Sequence, residues 1–324
     1  LLAAVAMAVV FAGAGMAQAV EPYLEFVRGL REQQYFDYAI LYLDQIASKE
    51  NTPAEIKQVI PYEKAMALQD SAKVARSPEK QLEQLDQALA FLEQFVKENP
   101  NHPIAADANS DRAGIILEKA KAEIQQIRSP SGPKKQLQTS SRELIAKARQ
   151  VYQTAFDQHE ANFKKFPAFI DQQKDPDQFA ARSKTEQSLM TASLNLAICT
   201  FEEAHSYEPA AAEYKQLLTK AADEFEKMHQ KYRTQVGGLN ARAWQGKCFE
   251  EMNEINKALG IYKEILDHPA ETGVLSQLKT QTLYFKLICL NSKEKRDYRV
   301  VADLAEEWMK KHPNEQLTRM GLSI

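Results

Sequence analysis

Apolar residues recur at three- and four-residue intervals along nearly the whole chain, and no stretch alternates apolar with polar over the length of a strand. That spacing lines one side of a helix with apolar side chains and leaves a sheet nothing to build on. Leu82, Leu85, Leu89, Leu92 and Phe95-Val96 form one such stripe. Leu217-Leu218, Ala221-Ala222, Phe225 and Met228 form a second. Ile255, Ala258-Leu259, Tyr262 and Ile265-Leu266 form a third. Turn and cap residues fall between the stripes. Thr52-Pro53-Ala54-Glu55 reads as a cap, a proline at the first helical position and a Glu closing a capping box. Asp175-Pro176-Asp177-Gln178 repeats that logic, and Ser77-Pro78 and Ser140-x-x-Glu143 mark further starts. Asn99-Pro100, His268-Pro269 and His312-Pro313 mark stops. With 11 Gly and 13 Pro in 324 residues, the chain has too few turn residues for a β-sandwich or a Rossmann-type fold. The expectation is an all-α protein of about twelve helices packed as consecutive antiparallel pairs.

The leading segment predicts an address. Leu1 to Ala17 is uncharged and almost wholly apolar, and Ala17-Gln18-Ala19 is an A-x-A cleavage site followed by Glu21-Pro22. Residues 1–19 therefore read as a signal peptide that is cut off. Read instead as an anchor, the stretch sits at the short limit for crossing a bilayer. An uncleaved leader would then be the one membrane contact. Either way, residues from Val20 onward are expected outside the cytoplasm, in the periplasm or elsewhere in the cell envelope. No start Met or basic region precedes the stretch, so the natural N-terminus is expected upstream of Leu1. Residues 20–128 form a first helical block and 140–324 a second. Ser129-Pro130-Ser131-Gly132-Pro133 through Thr139 reads as a flexible loop between them.

A search for chemistry finds none that holds. The formal net charge of −3 lacks the basic excess of a dedicated nucleic-acid binder. Cys199, Cys248 and Cys289 lie in apolar helical stretches with no C-x-x-C or zinc-type spacing, and read as small buried hydrophobes. Of the six His, none pairs at metal-ligand spacing; His102, His268 and His312 belong to turns, and His229 to a helix surface or the groove. Gln245-Gly246-Lys247-Cys248 has the Gly-Lys of a phosphate loop but neither its earlier Gly nor a following Ser/Thr. Lys134, Lys135, Arg142, Lys147 and Arg149 against Glu143 make a basic stretch that reads as solvated linker and helix start. Phe163, Phe166 and Phe169 form a candidate partner-facing patch. No enzyme, cofactor or metal is expected.

The segment Leu239 to Glu271 carries a repeat unit. Gly246 is followed by Phe249, then Ala258, Tyr262 and a closing Pro269. Small residues let two helices approach closely while bulky ones fill the space beside them. On these residues the chain resembles the tetratricopeptide-repeat (TPR) superfamily, most closely its exported bacterial members. Weaker matches to the second helix of a unit are Phe36, Ala39, Leu43 and Ile46; Leu85, Ala88, Leu92, Phe95 and Pro100; Ala221, Phe225 and Met228; and Tyr298, Val301, Ala305, Trp308 and Pro313.

The resemblance implies a right-handed superhelical solenoid of antiparallel helix pairs whose first helices line a concave groove. It maps the groove to Asn240, Ala243, Lys247 and Glu250 in the clear unit, and to Leu283, Lys286 and Leu290 in the next. Near the start it maps to Glu21, Leu24, Arg28 and Arg31. The family's clamp for C-terminal carboxylates is not expected, because Lys247 and Leu290 stand where Asn is wanted. The function implied is an exported scaffold that holds a protein or peptide partner in the groove. The competing expectation is the N-terminal recognition module of a larger envelope enzyme or multidomain protein. It rests on His312-Pro313-Asn314-Glu315 opening a further helix just before Ile324, as if the array were truncated there.

Overall fold

A computed structural model describes residues 23–127, 134–269, 273–292 and 295–311. The expected leader, Glu21, the prolines from 130 to 133 and Pro313 lie outside the described residues. Within them the chain forms twelve helices and no strand. In order these are α1 (Tyr23–Glu32), α2 (Phe36–Ser48), α3 (Ala54–Lys73), α4 (Pro78–Glu98), α5 (Ala105–Ile127) and α6 (Lys134–Phe163). They continue with α7 (Pro176–Ala204), α8 (Ala212–Lys231), α9 (Val236–Glu251), α10 (Ile255–Leu266), α11 (Gly273–Leu290) and α12 (Tyr298–Lys311). Each helix packs on the one before and the one after. The predicted stripes face these junctions: Leu85, Leu92 and Phe95 of α4, Leu218 and Phe225 of α8, and Tyr262 and Ile265 of α10 are fully buried.

Several starts are set by the cap chemistry expected. The Ser77 side chain accepts from the Lys80 N–H at 3.2 Å and Pro78 opens α4. Asp175 accepts from the Gln178 N–H at 3.2 Å and Pro176 opens α7. Two starts differ. Thr52 does not cap α3; its hydroxyl donates to the Ile46 carbonyl at 2.6 Å and closes the end of α2, while Pro53 takes the cap position. Ser140 does not start a helix, because α6 already begins at Lys134, inside the segment expected to be loop. Leu137 and Leu144 pack against α5, and that burial extends the helix upstream of Ser140, whose hydroxyl instead donates to Glu123 at 3.0 Å. Pro61 sits within α3, an interior proline that removes one helical hydrogen bond.

One backbone device occurs twice. Gln34 and Asn253 both adopt left-handed φ, 62° and 61°. Each is followed by a residue whose N–H reaches five positions back at 2.8 Å, Tyr35 to Leu30 and Glu254 to Phe249. The same turn therefore joins α1 to α2 and α9 to α10. It brings equivalent residues to equivalent places: Ala39 with Ala258, Leu43 with Tyr262 and Ile46 with Ile265, all without exposed surface.

Contacts that skip a helix are made chiefly by the odd-numbered helices. Arg31 of α1 donates to Asp70 of α3 at 2.7 and 2.9 Å. The Tyr62 hydroxyl of α3 donates to Asp111 of α5 at 2.9 Å. Further along, α5 touches α7, and Trp244 of α9 lies 5.3 Å from the Phe201 ring of α7 and 6.5 Å from Phe285 of α11. The even-numbered helices meet through polar side chains at longer range: Lys147 of α6 is 3.9 Å from Glu93 of α4, and His229 of α8 is 3.9 Å from Glu264 of α10. The array thus has two layers, with the odd helices drawn closer together.

Candidate functional site

The odd layer opens into a cleft of about 560 Å³ shared by α7, α9 and α11. Glu186, Gln187 and Met190 of α7, Val236 and Asn240 of α9, and Val274 of α11 line it. Gly237 lines it and Gly238 follows at its edge. A Cβ on Gly237 would meet the Met190 sulfur at 2.3 Å, and one on Gly238 would meet the Tyr232 carbonyl oxygen at 2.0 Å. Gly238 lets α9 start against the backbone of the preceding turn, while a side chain at 237 would push the end of Met190 aside. Val274 is 64% exposed, so the cleft presents apolar surface to solvent beside amide and carboxylate groups.

Two turns along α9 lies a charged cluster. The Lys247 ammonium pairs with Glu250 and, at 2.9 Å, with Glu251. It also lies 5.4 Å from the Phe285 ring centre. The Tyr262 hydroxyl donates to Glu250 at 2.8 Å, and the Tyr214 hydroxyl to Glu251 at 3.1 Å. His205 Nδ1 is 3.0 Å from the Phe201 carbonyl, which can only accept, so Nδ1 carries a proton; Nε2 faces Glu251 at 3.7 Å. Burial alone would raise the Glu251 carboxyl, but the contacts of His205 and Lys247 outweigh it and hold the group below the usual carboxylate range. Burial would lower the Lys247 ammonium, and its two carboxylate neighbours raise it instead. The Tyr262 hydroxyl is pushed up by burial and by Glu250. Both charges of each pair are thereby satisfied within the fold, an arrangement that locks α8, α9 and α10 together.

The residues mapped to the groove separate into three groups. Asn240 borders the cleft, Lys286 is partly exposed on α11, and Arg28 is exposed on α1. Arg31, Lys247 and Glu250 are engaged by internal partners, Arg31 by Asp70 and by Glu63 at 3.4 Å. Ala243, Leu283 and Leu290 correct the expectation: they are 1%, 6% and 8% exposed, packed into the helix junctions rather than turned to a partner. Gly246 meets α10 so closely that a Cβ would lie 2.5 Å from the Tyr262 ring, while Ala258 and Tyr262 are fully buried, Phe249 is half-buried and Pro269 is exposed.

His229 is buried rather than on the surface; its Nδ1 donates to the Gly238 carbonyl at 3.1 Å. The three thiols are buried and unpaired, and burial pushes Cys199 up to about 12. Arg149, part of the basic stretch, is drawn into the fold by Glu203 at 2.6 Å and Thr200 at 3.0 Å. Phe169 is 81% exposed. Sequence reasoning missed Glu186, Gln187, Met190 and Val274; the paired Gly237-Gly238 was the signal that something approaches α9 there. Among the described residues no cluster of His, Cys, Asp and Glu is placed to hold a metal, and no helix is long and apolar enough to cross a membrane. No family model matches the chain, and no curated protein matches it.

Proposed function

We propose that this chain is a TPR-like scaffold that binds a protein or peptide segment along its odd-numbered helices, in the cleft between α7, α9 and α11. The observation that carries this reading is the asymmetry of the two layers. Odd helices approach one another directly while even helices meet at longer range, which in a two-layer array puts the odd layer on the inside of the curve. The repeated α1–α2 and α9–α10 turn supports a TPR-like unit, and a right-handed superhelix follows from that unit. The cleft mixes exposed Val274 with Gln187, Asn240 and Glu186, a surface suited to a polypeptide's alternating apolar and amide groups. Carboxylates at the odd-helix seams, Glu63, Asp70 and Asp111 among them, oppose a phosphate backbone. The leader at 1–19 supports a site of action outside the cytoplasm.

A photo-crosslinking amino acid at Asn240, compared with the same group at exposed Thr219 of α8, tests the reading in the native host. Capture of one protein from position 240, lost when Val274→Glu is added, supports it. Equal capture from both layers, or none from position 240, overturns it.

A further inference from the structure

We propose that a second cavity, between α6, α7 and α8, binds a small amphipathic carboxylate: a medium-length alkyl chain ending in a single anionic group. This site borders the even layer and stands apart from the partner cleft. It encloses about 350 Å³, within the ~300–1,000 Å³ typical of small-molecule sites. Phe156 of α6, Leu196 and Ala197 of α7 and Met228 of α8 supply an apolar lining.

Charge decides what the apolar body must carry. Lys227 and Lys231, one helical turn apart on α8, line the cavity and are exposed, with no carboxylate at ion-pair distance among the described residues. Lys231 lies 5.1 Å from the ring centre of Tyr232. The other charges nearby are already matched. Arg149, which also lines the cavity, is held by Glu203 at 2.6 Å; Glu224, the one carboxylate in the lining, lies 3.9 Å from Lys220 on its own helix; and Glu160, which feels Lys231, is bonded to Lys164 at 2.8 Å, so the lining carries three cations against one anion. What remains unmatched at the site is positive. A second observation points the same way. Tyr232 lines the cavity and is 3% exposed, yet its hydroxyl is buried with no hydrogen-bond partner among the described residues. A buried donor without an acceptor is costly, and a ligand oxygen would satisfy it once the Tyr232 side chain turns to meet the cavity. An apolar lining, two unmatched ammonium groups and an unmet hydroxyl donor together select a carboxylate on an alkyl chain over a neutral or cationic amphiphile.

The test titrates decanoate into the purified chain by calorimetry, beside decanol and decyltrimethylammonium, and repeats the decanoate titration on K227E/K231E. Both lysines are exposed, so the double variant should keep the wild-type circular dichroism. One-site saturable binding of decanoate is expected, at least tenfold weaker in K227E/K231E, at least tenfold weaker for decanol, and reduced by added salt. Absence of saturable binding, equal affinity for decanol or the ammonium amphiphile, or an unchanged affinity in the double variant would overturn the proposal. The wild-type comparison among the three amphiphiles stands whether or not the variant folds. Because Asn240 and Val274 take no part in this cavity, its failure leaves the partner cleft untouched, and the reverse holds too.

Discussion

A methyl group on Gly246 would sit 2.5 Å from the Tyr262 ring and 3.1 Å from an Ile261 methyl. Neither neighbour has room to retreat, since Tyr262 is fully buried. Gly246→Ala should therefore cost about 1–3 kcal/mol, the range for overpacking a core, and lower the melting temperature accordingly. Lys247→Met should cost about 2–4 kcal/mol, between the values for exposed and buried pairs, because Glu250 and Glu251 lose their common cation; urea unfolding would measure it. Glu251 sets a pH dependence. Its folded carboxyl is held below the unfolded value of roughly 4.3, so its contribution is complete above that value and fades as pH falls through the depressed folded one. The melting-temperature gap between wild type and Glu251→Gln should shrink from pH 7 toward pH 3; a gap independent of pH would contradict the assignment. Gly246 and Tyr262 were legible in the sequence because a small residue facing a bulky one is a local, spaced signal. The Glu251 partners Tyr214 and His205 were not, because they arrive from α8 and the end of α7 through tertiary packing.

The helices themselves divide in the same way. Caps written in adjacent residues were readable: Ser77-Pro78 and Asp175-Pro176 begin α4 and α7 as expected. Ser77→Ala and Asp175→Ala should each cost about 1 kcal/mol, and together roughly the sum, since the two caps share no partner. Where burial competes with local chemistry, burial wins. The basic Lys134-Lys135 pair is a poor helix start, yet Leu137 packs on α5 and the helix begins there. Thr52 had two possible bonds, and the buried carbonyl of Ile46 takes its hydroxyl. Thr52→Val should then destabilise the α2 end by about 1–3 kcal/mol, the cost of leaving that carbonyl unsatisfied, with faster amide exchange in the last turn of α2.

At the scale of the molecule, periodicity was enough to read twelve helices and their pairing in order. It was silent on which face would open, since Ala243, Leu283 and Leu290 share a register with groove positions yet end in the helix junctions. Register fixes direction around a helix axis; depth depends on how closely the next helix lies, and that is set by residues such as Gly246 against the Tyr262 ring of α10. Packing confined mostly to adjacent and next-but-one helices also shapes how damage spreads. In Gly246→Ala, hydrogen exchange should accelerate across α8 to α11 while α1 to α4 keep wild-type protection.

The same arrangement gives the molecule a mechanical character. Helices joined only to near neighbours act as springs in series, so a pull along the array loads every joint equally and the weakest yields first. Among its described residues α12 has none that is fully buried, and its contact with α11 is the sparsest between successive helices. Tension drawn through α12 would peel it from α11 before the Lys247 cluster feels strain, leaving the cleft between α7, α9 and α11 intact.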